Sequence, residues 1–143
     1  MDLRLRPIGI VRSTLRSKSE APRQGREGGV EALVEIEPEF SAALEGVEAG
    51  DDVLLFTWLH EARRDTLRVH PRDDPSRALA GVFATRSPDR PNPIGLHPVR
   101  VLSRDGPNLR VAPLDAIDGT PVLDIKPILG GHTMCGMSEP TVG

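Results

Sequence analysis

The chain has 143 residues, the usual length of one domain and long enough to bury a hydrophobic core. Its formal net charge is −3, so it lacks the overall basic charge that is usual for a dedicated nucleic-acid binder. The single cysteine, Cys135, excludes an intrachain disulfide and fits a reducing cytoplasm. The N-terminus lacks the apolar stretch of a secretory signal, and no apolar run approaches the roughly 18–20 residues of a membrane span. We therefore expect a cytoplasmic protein without a membrane segment.

Short strands separated by turns dominate the predicted secondary structure. Val30–Ile36 alternates apolar residues with glutamates, as a half-buried strand does. Val53–Leu59 is a continuous apolar run, which is typical of a buried strand. In chain order, the predicted strands are Ile8–Val11, Val30–Ile36, Val53–Leu59, Gly81–Thr85, Ile94–Leu102, Leu109–Leu114 and Val122–Lys126.

One short helix is predicted between the second and third strands. After Pro38, apolar residues recur at helical spacing at Phe40, Ala43, Leu44 and Val47. No predicted strand is followed by a long helical pattern, and no Gly-x-Gly-x-x-Gly turn is present, which disfavours a doubly wound nucleotide-binding domain. About seven short strands with one or two short helices predict an all-β fold, a small β-barrel. We expect the barrel domain to occupy residues 1–129 and residues 130–143 to form a C-terminal tail.

Charge is unevenly distributed along the N-terminal third. Between Arg4 and Arg26 the only acidic residue is Glu20, whereas the segment from Glu27 to Asp52 has many carboxylates and no basic residue. A basic segment of this kind can meet a phosphate backbone or an anionic substrate. Alternatively, the two segments face each other or solvent, and the acidic net charge favours this second interpretation.

The segment Thr85–Gly95, with sequence TRSPDRPNPIG, is more constrained than a turn requires. Pro91 and Pro93 fix their own φ angles and hold Asn92 between them in an extended conformation. The Asn92 amide both donates and accepts hydrogen bonds, and Arg86 and Arg90 carry planar groups suited to carboxylates or phosphates. The pattern favours a preorganised binding loop over a structural corner.

Two other pairs of residues are candidates for function. Asp124 and Lys126 are two apart on a predicted strand and share a face, which indicates a salt bridge or a site, with the salt bridge favoured. His60 and Glu61 follow an apolar strand, a usual place for functional side chains. We predict no metal site, because the other histidines, His70, His97 and His132, lack metal-binding spacing and Cys135 stands alone.

Gly81–Leu96 and Leu114–Pro127 resemble the two signature motifs of the TsaA-like family, whose best known members are tRNA methyltransferases of the TrmO type. Ile8–Ser13, Pro22–Gln24 and Trp58–His60 fit the same pattern, so the resemblance covers about residues 7–128. It implies a single-sheet β-barrel that binds S-adenosylmethionine and forms homodimers. Characterised family members methylate N6 of threonylcarbamoyladenosine beside the anticodon of threonine tRNA.

The resemblance also implies a set of site residues. The cofactor contacts carried over from the family motifs are Pro22, Arg23, Gln24, His60, Glu61, Arg86, Leu96, Asp118, Gly119, Thr120 and Pro121. The residues expected to face the substrate are Arg90, Asn92, Asp124 and Lys126. Direct displacement on an activated methyl group depends mostly on how the cofactor and the acceptor are positioned, so no catalytic base is assigned. His97 stands where the family usually has serine, and Ile128 where it usually has an aromatic residue.

Three functions are therefore in competition. A tRNA methyltransferase would use the basic segment Arg12–Arg26 against the anticodon stem. A methyltransferase acting on a small metabolite is the second hypothesis, and a non-catalytic module binding S-adenosylmethionine or RNA is the third. The second is motivated by the four aromatic residues, Phe40, Phe56, Trp58 and Phe83, which are all expected in core strands or the helix. They would offer no base-stacking surface.

Overall fold

Six antiparallel strands close into a single barrel, which confirms the predicted fold class. The computed structural model describes residues 1–14 and 30–130. The strands in these residues are β1 Gly9–Arg12, β2 Ala32–Ile36, β3 Asp52–Trp58, β4 Arg68–Val69, β5 Ala80–Gly81, β6 Ile94–Asp105, β7 Asn108–Ala112 and β8 Pro121–Pro127. The barrel order is β1-β2-β7-β6-β3-β8, and β4 pairs with β5 in a separate two-stranded sheet. In the described part of the chain, no helix has the length and hydropathy needed to cross a membrane.

The core lies inside the barrel and is built mostly from β-branched residues. Because side chains alternate across a strand, every second residue of each barrel strand points inward. The fully buried inward residues include Val11, Val34, Leu55, Val101, Leu109, Val111 and Val122. The alternating pattern that predicted β2 therefore reflects a strand with one face buried in the barrel and the other face towards solvent.

A 3-10 helix at Pro38–Leu44 closes one end of the barrel. The sequence predicted a helix here, and Leu44 joins the core with Phe40 and Val47 against it. Ala43, however, is exposed, and Val47 lies beyond the end of the helix. The Arg104 guanidinium donates from Nη1 to the Leu44 and Val47 carbonyls (2.7 and 3.1 Å). The Leu44 carbonyl also accepts from the Val47 N–H (2.9 Å), so these bonds fix the end of the helix and the turn after it.

The prediction of a strand at Gly81–Thr85 is correct for Gly81 and wrong for the residues after it. Gly81 belongs to β5, but Val82–Ala84 forms a 3-10 turn. The Val82 carbonyl accepts hydrogen bonds from Thr85 N, Thr85 Oγ1 and Arg90 Nη2 (3.0, 3.0 and 2.7 Å), and these local bonds replace a strand ladder. The expectation that Phe83 lies in a core strand is also wrong, because its side chain is 82% exposed.

The basic and acidic N-terminal segments pair where the structure describes both. Arg12 contacts Glu35 on the neighbouring strand (Nε–Oε1 3.1 Å), and Arg6 contacts Glu39 (Nη2–Oε1 2.8 Å). This supports the interpretation that the two segments face each other. Most of the predicted RNA-binding segment Arg12–Arg26 lies outside the described residues.

Candidate active site

Three connections leave the barrel at the end opposite the Pro38–Leu44 helix. Strand register shows why: Trp58 at the end of β3 pairs with Ile94 at the start of β6, and Ile10 of β1 pairs with Pro121 at the start of β8. Ala32 at the start of β2 likewise pairs with β7 close to its end. The connections 13–31, 59–93 and 113–120 therefore share one end, which we call the loop end.

Nearly all predicted cofactor and substrate residues belong to these connections or to the strand starts beside them. The described ones in the connections are His60, Glu61, Arg86, Arg90, Asn92, Asp118, Gly119 and Thr120, while Pro121 opens β8. Pro22, Arg23 and Gln24 lie outside the described residues, although their connection has Thr14 and Val30 as described flanks. Antiparallel topology thus brings together motifs that are far apart in the sequence.

The Thr85–Gly95 loop is held from within by Arg90. Its Nε donates to the Ser87 carbonyl (2.8 Å), and its Nη2 donates to the carbonyls of Val82 and Thr85 (2.7 and 2.6 Å). The guanidinium is half-buried among these groups. A structural role for Arg90 was not foreseen from the sequence, and its contact with a substrate stays a prediction.

The same loop is also tied to the chain that follows β3. The Leu59 N–H donates to the Pro93 carbonyl (2.8 Å), and the Arg90 N–H donates to the Arg63 carbonyl (3.0 Å). In return, the Arg63 N–H donates to Asp89 Oδ1 (2.9 Å). The prolines fix backbone φ angles within the loop, whereas these hydrogen bonds fix the position of the loop relative to the barrel.

Asn92 is oriented by an arginine that sequence reasoning did not single out. Arg64 Nη2 donates to Asn92 Oδ1 (3.1 Å), and Arg64 Nε donates to the Pro91 carbonyl (2.8 Å). The Arg64 guanidinium lies over the Trp58 ring, 5.0 Å from its centroid. Nothing local in the sequence indicates this contact, because Arg64 and Asn92 are 28 residues apart.

A polar pair lies on the inner face of the barrel near the loop end. Thr57 Oγ1 and His97 Nε2 are hydrogen-bonded at 2.8 Å, and Thr57 is fully buried. Gly95 makes room for the pair, since a Cβ there would overlap Thr57 Oγ1 and lie 2.7 Å from His97 Nε2. Burial lowers the pKa of His97; the Asp115 carboxylate opposes this shift and the Arg86 cation adds to it. The imidazole is therefore favoured in its neutral form.

The Asp118–Gly119 turn precedes β8 and is hydrogen-bonded to β1 and to the residue that follows it. Asp118 Oδ1 accepts from the Ser13 N–H (3.0 Å), and the Gly119 N–H donates to the carbonyl of Val11 in β1 (2.8 Å). Gly119 has φ of +87°, a left-handed conformation that favours glycine. Thr120 is buried and donates from Oγ1 to a carbonyl inside the turn (2.7 Å). The turn is thus fixed against Ser13 and β1.

The remaining predicted cofactor residues differ in how they are held. His60, Glu61 and Arg86 are exposed at the loop end. Within the described residues, Arg86 makes no hydrogen bond or ion pair. Leu96 is half-buried, and its Cα pairs with Phe56 on β3. Arg86 is therefore a described cation at this end that stays available to a ligand.

Asp124 and Lys126 form the salt bridge that their spacing favoured. Lys126 Nζ lies 3.4 Å from Asp124 Oδ2, and both side chains are more than half exposed. Their predicted contact with a substrate stays a prediction. Among residues 1–14 and 30–130, no three His, Cys, Asp or Glu side chains come together as a metal site would require.

Comparison with known proteins identifies the family. The model of the tRNA-methyltransferase O N-terminal domain matches residues 10–131. A protein of Methanothermobacter thermautotrophicus named "Probable S-adenosyl-L-methionine-binding protein" is 48% identical over 127 residues, covering 89% of this chain and 90% of the relative. A protein of the same name from Archaeoglobus fulgidus is 50% identical, but the chain covers only 34% of its length.

A solved structure agrees with these sequence matches. The crystal structure of TrmO from Pseudomonas aeruginosa has a TM-score of 0.73 and 36% sequence identity with this chain. The match covers 90% of this chain and 57% of that one, so the chain spans little more than half of the solved protein. The chain belongs to the tRNA-methyltransferase O N-terminal domain family.

Proposed function

We propose that the protein is an S-adenosylmethionine-dependent methyltransferase that methylates N6 of threonylcarbamoyladenosine next to the tRNA anticodon. The observation that carries the proposal is the gathering of the family's site motifs at one end of a barrel whose residues 10–131 match the family model. Relatives named for S-adenosylmethionine binding support the cofactor. The family model, which is named for a tRNA methyltransferase, supports a tRNA substrate.

The described residues fit the cofactor in their chemistry. Its carboxylate requires a cation, and Arg86 is exposed at the loop end without a competing carboxylate. Polar groups for the rest of the molecule are available from His60 and Glu61 in the turn after β3. The Gly119 N–H donates to the Val11 carbonyl of β1 and the Thr120 N–H to the Ile117 carbonyl, so we expect this turn to contribute shape and carbonyl oxygens rather than amide donors.

The protein's part in the reaction is positioning. S-adenosylmethionine, when bound, supplies an electrophilic methyl group. Arg86 would hold the charge of the cofactor, while the loop of Arg90 and Asn92 would fix the orientation of the acceptor nitrogen. The hydrogen bonds of Arg90 and Arg64 keep this loop in place before any ligand arrives, so little ordering remains to be done on binding.

Calorimetric titration with S-adenosylmethionine tests the cofactor site. Arg86→Ala removes one charged hydrogen-bond donor and should weaken binding by about 1.5–3 kcal/mol. Arg110→Ala is the control, because Arg110 is also exposed but lies on β7, which pairs with β2 and β6 and not with β3. Equal affinity for the Arg86 variant and the unaltered protein would remove Arg86 from the site.

Methyl transfer to tRNA tests the substrate. Labelled methyl groups should appear on tRNA that carries threonylcarbamoyladenosine and not on tRNA that lacks it, and tRNA binding should weaken steeply with salt. Cofactor binding without transfer to either tRNA would favour a small-metabolite acceptor or a non-catalytic module. A flat salt response would also contradict the tRNA assignment.

Two further proposals follow from family membership. We expect a homodimer, and light scattering at low protein concentration checks this; a monomer that keeps full cofactor affinity would contradict it. A tRNA substrate would also place the protein in the cytoplasm.

A further inference from the structure

The Arg64 guanidinium is fixed in place by three neighbours. One face lies on the Trp58 ring, with Cζ 5.0 Å from the ring centroid. Nε donates to the Pro91 carbonyl and Nη2 donates to Asn92 Oδ1 (2.8 and 3.1 Å), so the Nε–Nη2 edge is occupied. Two bonds in the plane and one contact beneath it leave the group little freedom to rotate.

The charge of Arg64 is not neutralised within the described residues. Its acceptors are a carbonyl and an amide, both neutral. The adjacent Arg63, by contrast, pairs with the Asp65 carboxylate at 3.2 Å. Arg64 is nevertheless exposed. Since its inner face and its Nε–Nη2 edge are in contact, the exposed surface is the outer face and the Nη1 side.

This geometry suits a flat ligand that covers the outer face of Arg64. Arginine binds a carboxylate or phosphate in a bidentate manner through one of two edges. In Arg64 the Nε–Nη2 edge is already used by Pro91 and Asn92, which leaves the outer face and the Nη1–Nη2 edge to a ligand. The outer face of a guanidinium stacks on nucleobases, as arginine planes do when proteins bind unpaired RNA. Trp58 beneath it fixes the plane and adds a cation–π contact.

Asn92 adds a means of reading the base beside this plane. Because arginine only donates, the Asn92 atom facing Arg64 is the amide oxygen. The amide NH2 therefore points away from Arg64, and the side chain is exposed. An NH2 group at the edge of a stacking plane is placed to donate to an acceptor on a base edge.

We propose that Arg64, supported by Trp58, is a stacking platform for an unpaired nucleobase of RNA, with the Asn92 NH2 donating to the edge of that base. The assignment of RNA rests on the proposed function. The platform lies on the wall of the loop end, because Asn92 belongs to the Thr85–Gly95 loop. The base it receives would therefore be one next to the nucleotide that is modified.

Trp58 provides a direct probe, because it is the only tryptophan and the chain has no tyrosine. The full chain is titrated with an RNA hairpin that has an unpaired loop of anticodon-loop size, and with an uninterrupted RNA duplex of the same length. Trp58 emission reports stacking near the platform, and the anisotropy of labelled RNA reports affinity independently. We expect the hairpin, and not the duplex, to quench Trp58.

Arg64→Lys keeps the charge but loses the plane and the fixed hydrogen bonds. It should weaken hairpin binding about tenfold, or about 1.4 kcal/mol, and leave duplex binding unchanged. Asn92→Ala keeps the stack and should have a smaller effect on the hairpin. Arg110→Lys is the matched control and should alter neither affinity, because Arg110 is an exposed arginine on β7, which does not pair with β3.

The possible outcomes test the Arg64 platform and the proposed methyl transfer independently. Hairpin binding and quenching that are unchanged in Arg64→Lys would overturn the platform, even if S-adenosylmethionine binds and transfer to tRNA occurs. Absence of hairpin binding by the unaltered protein would overturn it as well. Arg64-dependent quenching in a protein that transfers no methyl group would keep the platform and overturn the proposed function.

Discussion

Gly95→Ala tests whether the Thr57–His97 pair at the loop end depends on the absence of a side chain at position 95. A Cβ at position 95 would overlap Thr57 Oγ1 and lie 2.7 Å from His97 Nε2 and 3.1 Å from Leu59 Cδ2. Thr57 is fully buried on β3 and cannot move without shifting the barrel wall. Overpacking costs about 1–3 kcal/mol, and weakening the Thr57–His97 hydrogen bond adds roughly 1 kcal/mol. We expect a loss of unfolding free energy of roughly 2–4 kcal/mol.

Urea unfolding followed by Trp58 emission measures this loss, since Trp58 is adjacent to Thr57. The midpoint should fall while the dependence of the free energy on urea stays the same. Gly81→Ala is the matched control: φ there is −62°, and the nearest atom to a new Cβ is the Leu67 carbonyl oxygen at 3.9 Å. It should change stability by less than about 0.5 kcal/mol or raise it slightly. A Gly95→Ala protein as stable as the Gly81→Ala protein would refute the reasoning.

Two further changes test the groups that hold the site. The lowered pKa of His97 means that the unfolded chain binds its proton first as pH falls, so His97 adds stability that is complete above about pH 6.5 and is lost as pH falls towards its folded pKa. Urea midpoints at several pH values should show this loss, and His97→Ser should remove it; an unchanged pH dependence in that variant would assign the effect elsewhere. Arg90→Lys breaks the fork to the Ser87, Val82 and Thr85 carbonyls and should destabilise the fold by about 1–3 kcal/mol. Arg63→Lys, which weakens an exposed pair, should cost clearly less stability in the same denaturation series, and equal losses in the two variants would contradict the structural role of Arg90.

The barrel was predictable because its signal is local. Val30–Ile36 alternates with the period of a strand, and β2 forms within that segment, at Ala32–Ile36. The segment after β5 was not predictable in the same way. Val82, Phe83 and Ala84 have strand-like composition, but Thr85 and Arg90 supply donors to the Val82 carbonyl and turn the chain. Phe83 is therefore left on the surface rather than in the core.

The contacts that fix the site are long-range, which is why residue patterns missed them. Thr57 and His97 are 40 residues apart, and Arg64 and Asn92 are 28 apart. Each pair meets only because β3 and β6 are neighbours in the barrel. The prolines around Asn92 correctly indicated a stiff loop, but they did not show which side chains hold it. Arg64 is one basic residue among many in the sequence, and only the fold distinguishes it.

The two ends of the barrel use arginine for different purposes, and the difference supports the placement of function. Arg104 at the opposite end donates to the carbonyl of Leu44, the last residue of the helix, and to the carbonyl of Val47 in the turn after it. At the loop end, Arg90 fixes the loop internally, Arg64 is fixed by the loop with its outer face exposed, and Arg86 has no described hydrogen-bond partner. Unneutralised cations repel each other, and a ligand of opposite charge or a polarisable plane offsets this repulsion. The barrel therefore uses its arginines at one end within the fold and keeps fixed cationic groups at the other, which is the arrangement that the proposed reaction on an anionic polymer requires.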